Sequence, residues 1–360
     1  MKRLMGIAAF VVALGVGLVG LSSPACGPDD GADSSLGAGR PTSSTVILRI
    51  EGGPVYWPEF KFWLKQVTDY YKAGRGLEEI TDWSVEQNGV ALEEFLRSSA
   101  ALQAAKGRAI EAQAAERGLE LSEGVLAEIA QEREKNISIY GSESEYLRIV
   151  AGMYYSEDVY KYVQKLDYLT LYLFNDLYGQ DGEKCTDEQV SAYVDEVGLK
   201  CATYIFLPDT GDDGAELSAE DKAANRALLQ DLISRLDLSA DPVALFVSLV
   251  DQYNEDRELL AYPDGRLFAP GTMGEEFENA CAALDEGEHS GIVESPDGLY
   301  LILRLPIRPD MVADSSGNTL RFRTAYDYLF QNQLDEWAGR LEIEYEEVFD
   351  QIRVQGLFDS

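Results

Sequence analysis

The sequence predicts an α+β protein, in which a long helical body is followed by a smaller domain with helices packed on a short sheet. Residues 45–198 contain one initial strand and then successive segments with the periodicity of amphipathic helices. Residues 199–308 instead mix short apolar strands with helices and a Gly-rich loop. A last helix and a short alternating segment complete the chain at residues 309–360.

The strong negative charge limits the classes of partner. The chain has 360 residues and a formal net charge of -34, from 64 acidic and 30 basic side chains. Its length allows roughly two to three domains at ~100–200 residues each. Because the charge repels a phosphate backbone, nucleic acid is not expected as a partner. The acidity is also typical of a solubilising surface.

Residues 1–25 are predicted to be a signal peptide for export. Lys2 and Arg3 precede an uncharged apolar run over 4–21, and small residues follow before Cys26. The apolar run is near the lower length limit for a membrane-spanning helix, so a retained N-terminal anchor is an alternative.

Cys26 resembles the lipidated cysteine of a bacterial lipoprotein, although Ser23 stands where the usual motif has Leu. This resemblance implies a lipid anchor at the outer face of the bacterial cytoplasmic membrane. Cleavage without lipidation remains an alternative. Residues 26–44 are rich in Gly, Pro, Asp and Ser, which predicts a flexible tether.

The helical body begins with a strand at 45–51, and the Gly-Gly-Pro run at 52–54 then turns the chain. The predicted helices begin at residues that favour a helix start, namely Pro58, Ser122, Ser142, Ser156 and Thr186. Another helix is predicted over 92–118. Tyrosines are frequent in residues 154–178, where they either pack between helices or offer exposed aromatic surface for binding.

The smaller domain has a definite order of elements. We expect a strand at 200–207, helices capped by Ser218 and spanning 244–253, a helix over 277–284 and a hairpin over 293–303. After it, a helix is predicted over 320–341 and a strand over 342–346.

Residues 264–305 carry a spaced set of glycines and apolar residues, namely Asp264, Phe268, Gly271, Met273, Phe277, Ala280, Leu284, Gly287, Glu288, Ser290, Val293, Gly298, Leu301 and Ile302. This pattern resembles the second half of a parvulin-type peptidyl-prolyl cis-trans isomerase domain. Segments 115–129, 146–153 and 185–196 resemble the N-terminal chaperone region of SurA/PrsA-type foldases. The resemblance implies a helical chaperone-like domain built from 45–198 and 309–360, with the parvulin-like domain 199–308 inserted.

The parvulin resemblance also implies a substrate pocket. Met273 and Phe277 match the residues that grip the proline ring, and Leu267 or Phe268 is expected to complete the pocket. An ordinary core role for Met273 and Phe277 is the alternative.

The polar half of the implied catalytic site departs from the family. Tyr204 and Tyr300 occupy the positions of the two family histidines, while Asp256 fills the position of the loop acid. Two phenols can hydrogen-bond but are uncharged near neutral pH. The sequence therefore leaves open whether isomerase activity survives.

The remaining reactive side chains indicate no further chemistry. His289 is the only histidine and is expected in a surface turn, which argues against histidine-based metal sites. Cys185, Cys201 and Cys281 are read as buried thiols, with one unidentified disulfide as the alternative. No cofactor or metal is expected.

Three functions remain open. The resemblance implies an exported, membrane-anchored foldase whose partners are unfolded or nascent exported proteins and Pro-containing peptides. The same scaffold could bind these partners without turnover. The third possibility is an acidic lipoprotein that captures another ligand or contributes to a surface structure.

Overall fold

The computed structural model describes residues 41–211 and 213–358 and shows an α+β protein with small antiparallel sheets. The predicted signal peptide, the lipid anchor at Cys26 and the tether up to residue 40 lie outside the described residues. Among the residues described, no helix combines the length and apolar character needed to cross a membrane.

The described residues form two compact units. One unit contains the residues up to Leu177 together with those from Leu329 onward, and the other comprises Tyr178–Tyr328. The first unit is thus built from both ends of the chain, and the second is inserted between them. The predicted boundaries at 199 and 308 fall inside the second unit, and as functional domain limits they stay a prediction.

The first unit opens with a hairpin of β1 (Val46–Ile50) and β2 (Gly53–Tyr56). The following elements are α1 (Trp57–Ala73), β3 (Glu86–Gln87), β4 (Val90–Ala91), α2 (Leu92–Glu116), α3 (Glu123–Tyr140), α4 (Glu143–Tyr154) and α5 (Glu157–Tyr178). Side-chain caps are present where the sequence predicts them, because Ser122, Ser142 and Ser156 accept backbone hydrogen bonds from the residue three positions later.

The second unit contains α6 (Asp187–Val197), β5 (Lys200–Pro208), α7 (Ala219–Asp237), α8 (Pro242–Tyr253), a 3-10 helix (Arg257–Ala261), β6 (Arg266–Phe268), α9 (Glu275–Ala282), β7 (Val293–Ser295), β8 (Gly298–Leu305) and α10 (Leu320–Arg323). Its strands form one antiparallel sheet in the order β6-β5-β8-β7. Strand β6 was predicted as part of a loop, since three residues are too few to show a period.

The two faces of this sheet are covered by different elements. Alternate residues of a strand point to opposite faces. Ile205 and Leu207 therefore share a buried cluster with side chains of α7 and α8. Ala202 and Tyr204 share a second cluster with Phe277 of α9. The second face carries the predicted site.

The C-terminal part completes the first unit. A π-helix (Thr324–Phe330), α11 (Gln331–Gly339) and β9 (Ile343–Tyr345) follow α10, so the helix predicted over 320–341 is interrupted by a π-helical segment. Strand β9 pairs antiparallel with β1. The Lys106 ammonium on α2 lies 2.6 Å from the Asp335 carboxylate on α11, which ties the two parts together.

Tyrosines of the first unit pack between helices. The Tyr154 ring stacks on Phe62 with centroids 5.5 Å apart and lies 4.6 Å from Tyr160. All six tyrosines of this unit between residues 154 and 177 are half-buried, as is Tyr178 at the start of the second unit, which favours the packing interpretation. By contrast, α3 has no buried residue, and Leu126 and Ile139 on it are exposed.

Candidate active site

Four aromatic rings meet on the α9 face of the second sheet, and we call Tyr204, Phe268, Phe277 and Tyr300 the aromatic cluster. The Tyr204 ring centroid lies 5.3 Å from Phe277 and 5.6 Å from Tyr300. Phe277 is also 5.2 Å from Tyr300 and 5.6 Å from Phe268. These pairs are edge-to-face, the arrangement that aromatic rings prefer. Predicted residues from four separate elements, β5, β6, α9 and β8, thus converge.

Strand register explains why the two tyrosines are neighbours. In the antiparallel pair of β5 and β8, Tyr204 lies opposite Ile302 and Phe206 lies opposite Tyr300. Tyr204 and Tyr300 are therefore diagonal neighbours on one face. Helix α9 then places Phe277 and Cys281, four residues apart on one helix face, against that face.

Met273 lies in the loop before α9 and packs against the buried cluster as a half-buried side chain. The Glu278 carboxylate holds this loop, because it accepts hydrogen bonds from the backbone N–H groups of Gly271 at 2.9 Å and Met273 at 2.8 Å. These backbone donors hold the pKa of Glu278 below its usual value.

Leu267 does not join the other pocket candidates. In β6 it lies between Arg266 and Phe268, and Phe268 packs in the aromatic cluster. Since strand side chains alternate, Leu267 points to the opposite face of the sheet. Of the two residues expected to complete the pocket, Phe268 is therefore the one at the site.

The polar half of the site is a hydrogen-bonded chain around Tyr204. The Tyr204 hydroxyl donates to the Asp256 Oδ2 at 2.6 Å, and the Arg266 Nη1 donates to the Tyr204 oxygen at 3.5 Å. The other Asp256 oxygen, Oδ1, accepts from the Glu258 N–H at 2.9 Å and caps the 3-10 helix. Burial, and then the hydrogen bond to Asp256, raises the pKa of Tyr204 well above its usual value.

Asn254 fixes the loop that carries Asp256. Its Oδ1 accepts from the Phe206 N–H at 3.0 Å, and its Nδ2 donates to the Asp256 carbonyl at 2.7 Å. The Glu255 N–H donates to the Phe206 carbonyl at 3.1 Å. The loop is therefore bound to the middle of β5, which places the carboxylate of Asp256 beside Tyr204.

Tyr300 takes part in the site through its aromatic ring and not through its hydroxyl group. Within residues 41–211 and 213–358, no hydrogen bond involves its phenolic oxygen, and its ring stacks on Phe206 at 4.5 Å. Burial raises the pKa of Tyr300, and the Asp256 and Asp297 charges add to this effect. Both tyrosines are neutral at physiological pH.

Two residues of the site, Arg266 and Glu278, were not predicted from the sequence. Arg266 stands two positions before Phe268, so strand alternation puts both on one face once β6 is known to be a strand, which the sequence did not indicate. Glu278 shows no comparable signal, because its bonds to Gly271 and Met273 depend on the loop conformation.

The other reactive side chains lie in different settings. Cys185, Cys201 and Cys281 are buried free thiols. His289 is half-buried rather than in a surface turn, because it forms a β-bridge to Leu303 and its Nε2 lies 3.4 Å from the Asp237 carboxylate. The described ranges contain no group of three or more His, Cys, Asp or Glu side chains suited to a metal ion.

Replacing Tyr204 by phenylalanine is expected to lower the free energy of unfolding of the second unit by about 2 kcal/mol. The change removes the donor to Asp256 and the acceptor for Arg266, and a hydrogen bond to a charged group contributes ~1.5–3 kcal/mol. Denaturant unfolding followed by hydrogen exchange of the β5 and β8 amides measures the effect. The matched control is Tyr300→Phe, which removes a hydroxyl without a partner among the described residues. Equal destabilisation by both variants would contradict the assigned hydrogen bond.

Replacing Glu278 by glutamine is expected to loosen the Met273 loop. One of the two accepting oxygens becomes an NH2 group, so we expect roughly fivefold faster hydrogen exchange at the Gly271 or Met273 amide. The lowered pKa of Glu278 means that its stabilising effect is present above the ordinary pKa and is lost as the pH falls through the lower folded value. The protection of these two amides from hydrogen exchange should therefore change less with falling pH in the variant than in the wild type.

Glu276→Gln is the control for this prediction, because it removes the same charge from the first turn of α9 without touching the loop amides. If Glu276→Gln increased exchange at Gly271 and Met273 as much as Glu278→Gln, loss of negative charge from α9 would explain the effect, and the hydrogen bonds of Glu278 would not be needed.

Comparisons with known proteins give matches among solved structures. The chain is similar to the PrsA peptidylprolyl isomerase of Bacillus anthracis at 18% identity, covering 66% of this chain and 94% of that one with a TM-score of 0.25. It is also similar to PrsA of Bacillus subtilis at 16% identity, with 82% and 91% covered and a TM-score of 0.27. A structure described with the SurA-like chaperones of Campylobacter jejuni matches at 16% identity, with 74% and 100% covered and a TM-score of 0.23. Neither a family model nor a curated protein matches the chain.

Proposed function

We propose that this chain is an exported foldase that binds proline-containing segments of unfolded proteins and catalyses rotation about X-Pro bonds. The observation that supports this most is the convergence of Met273 and Phe277 with Tyr204, Asp256 and Tyr300 on one face of the second sheet. The parvulin resemblance implies the same residues, and they come from four separate segments of the chain.

The arrangement suits a reaction that needs neither a nucleophile nor a metal. Rotation about an amide has a barrier of ~18–20 kcal/mol, and uncatalysed X-Pro exchange takes tens to hundreds of seconds. An enzyme accelerates it by binding the twisted amide more tightly than the planar forms. What the protein must supply is a grip on the proline ring and a few fixed polar groups.

The apolar surface proposed to hold the proline ring combines buried and half-buried side chains of one cluster. Phe268 and Phe277 are buried, while Met273, Tyr300 and Phe206 are half-buried and pack against them. A pyrrolidine ring that contacts the half-buried side chains removes apolar surface from water, which favours binding by ~25 cal/mol per Å² of buried area. The buried aromatic rings support the half-buried side chains.

The first unit supplies a second surface for unfolded chains. Helices α3 and α4 expose large apolar side chains, namely Leu126, Ile139, Tyr140, Leu147 and Met153. Exposed apolar side chains on neighbouring helices favour contact with unfolded segments, whose own apolar residues are not buried. This surface fits the chaperone part of the proposed activity.

Export and anchoring complete the proposal. Residues 1–25 have the three parts of an export signal, and Cys26 is the proposed site of lipid attachment. A lipid on Cys26, followed by the tether to residue 44, would hold the folded units at the outer face of the cytoplasmic membrane. Clients would then be proteins that fold after export.

Binding without turnover is the second candidate. It is favoured by the bond between Tyr204 and Asp256, because the only hydroxyl proton of Tyr204 and both carboxylate oxygens of Asp256 already have protein partners. Neither group is free to act on a peptide as the histidine pair of the family would.

A refolding assay limited by proline isomerisation separates the two candidates. We expect micromolar protein to shorten the slow refolding phase of a substrate with a native cis-proline, and to suppress aggregation of a proline-free unfolded protein. Suppression of aggregation with an unchanged slow phase would reject catalysis and support the binding function. If neither effect occurred, both would be rejected.

A further inference from the structure

Arg266 brings a positive charge to the polar half of the site in a strongly acidic protein. It lies opposite Ala202 in the β5–β6 pair and on the same face as Phe268. Its Nη1 is 3.5 Å from the Tyr204 hydroxyl and 3.6 Å from the Glu258 carboxylate. Its guanidinium carbon is 5.5 Å from the centre of the Tyr262 ring. These contacts hold the side chain at the edge of the aromatic cluster, with 27% of its surface exposed.

Tyr204 cannot serve as the donor to a substrate in this arrangement. A phenol has one hydroxyl proton, and Tyr204 uses it in the 2.6 Å hydrogen bond to Asp256. Arg266 has five N–H groups in a fixed fork. In the part of the chain that the structure describes, its recorded polar contacts involve Nη1 alone. The donors on Nε and Nη2 therefore remain for a ligand.

The chemistry of amide rotation determines where such a donor is useful. In the planar amide the nitrogen lone pair is conjugated with the carbonyl group and accepts hydrogen bonds poorly. In the twisted amide conjugation is lost, so the nitrogen becomes an acceptor while the oxygen loses negative charge. A donor aimed at the proline nitrogen thus binds the transition state more strongly than either planar form and raises kcat.

We propose that Arg266 is a catalytic residue, whose guanidinium donates a hydrogen bond to the proline nitrogen of the twisted X-Pro amide. No covalent bond forms or breaks, and no proton is transferred. Tyr204 and Asp256 act as positioning residues, because the Tyr204 oxygen accepts from Nη1 and Asp256 holds the Tyr204 hydroxyl in place. This assignment rests on the proposed isomerase function and gives the chain a donor that does not depend on the missing histidines.

The assignment predicts a specific kinetic change on substitution. For a blocked Ala-Ala-Pro-Phe peptide measured by NMR exchange, Arg266→Gln should lower kcat about 10- to 100-fold and leave KM nearly unchanged, since a hydrogen bond made only in the transition state is lost. Arg266→Lys keeps a charged donor and should retain more activity than Arg266→Gln.

Because arginine stays protonated and the pKa values of Tyr204 and Tyr300 are raised, the wild-type kcat should be constant from pH 7 to 9.

Arg235→Gln is the matched control, because it removes the same charge from an exposed i,i+4 pair on α7. We expect its kcat to equal that of the wild type. A kcat for Arg266→Gln within twofold of the wild type, or a change in KM alone, would overturn the assignment while leaving isomerase activity in place. An inactive wild-type protein would instead reject the isomerase function itself, and the role of Arg266 with it.

A second measurement covers the case in which Arg266→Gln does not fold. In the wild-type protein, the side-chain Nε–H and Nη–H NMR signals of Arg266 should shift when the same peptide is added to saturation, because the bound planar amide must already lie next to the guanidinium before its nitrogen can accept the hydrogen bond. The signals of Arg235 should stay unchanged. Unchanged Arg266 signals at saturation would overturn the proposal.

Discussion

Replacing Phe277 by alanine is expected to lower the free energy of unfolding of the second unit by about 3–5 kcal/mol and to weaken the binding of X-Pro peptides at least tenfold. Phe277 is 2% exposed and contacts the rings of Tyr204, Phe268 and Tyr300. Truncation of a buried Phe to Ala leaves a cavity, and such changes cost ~3–5 kcal/mol. The half-buried Met273 and Tyr300 would lose a side chain against which they pack, so the proposed proline-binding surface would be distorted as well.

The matched control for Phe277→Ala is Phe246→Ala on the opposite face of the same sheet. Phe246 is fully buried in the cluster formed with α7 and α8, so its truncation should destabilise the unit to a similar degree. Peptide affinity per folded molecule should then fall only for Phe277→Ala. Equal loss of affinity in both variants would show that the aromatic cluster is ordinary core and not a binding site.

The tryptophans distinguish the unfolding of the two units. All four, Trp57, Trp63, Trp83 and Trp337, lie in the first unit, so tryptophan fluorescence reports the unfolding of that unit. Hydrogen exchange of the β5 and β8 amides reports the second, because tyrosines occur in both units.

Replacing Gly298 by alanine is expected to destabilise the second unit by about 3 kcal/mol and to displace the start of β8. Gly298 has a φ of +152°, which side chains other than glycine rarely adopt. An added Cβ would lie inside contact distance of the Leu207 carbonyl oxygen and 2.8 Å from the Pro208 Cα. Backbone strain of this kind costs ~1–3 kcal/mol, and the clash with β5 adds to it. Since β8 carries Tyr300 two residues later, peptide binding should weaken too.

Gly291→Ala provides the control for this backbone effect. Gly291 lies in the segment just before β7, its φ is not positive, and a Cβ there would meet no atom within 4 Å. The expected change in the unfolding free energy is less than ~0.5 kcal/mol. If Gly298→Ala were equally harmless, the close approach of β5 and β8 at this residue would be wrong.

The helical elements could be predicted well from local signals. Ser142, Ser156 and Thr186 cap the helices that the sequence indicated, because capping depends on residues within one turn. The helix over residues 320–341 was predicted as continuous, and its π-helical segment gave no recognisable signal. Strand β6 was missed because its residues are held by pairing with β5, which is distant in the chain.

The candidate site was predicted unevenly for a similar reason. Met273, Phe277, Tyr204, Tyr300 and Asp256 were identified from the spacing of a family pattern, and the structure brings these five together. Their catalytic and binding roles stay predictions. The role of His289 as a surface turn residue was wrong, because the half-buried ring contacts Asp237, a residue distant in the chain.

The sequence by itself determined the residue types available at the site and the helices that surround it. It has one histidine, and both histidine positions of the resembling family hold tyrosine, so the usual polar chemistry was already absent from the chain. Only the tertiary structure decided how the replacement groups are connected. The Tyr204 hydroxyl donates a hydrogen bond to Asp256 and accepts one from Arg266, which lies on β6, the strand that pairs with β5. Hydrogen bonds between segments 52 and 62 residues apart depend on strand register and loop closure, which local sequence patterns do not encode.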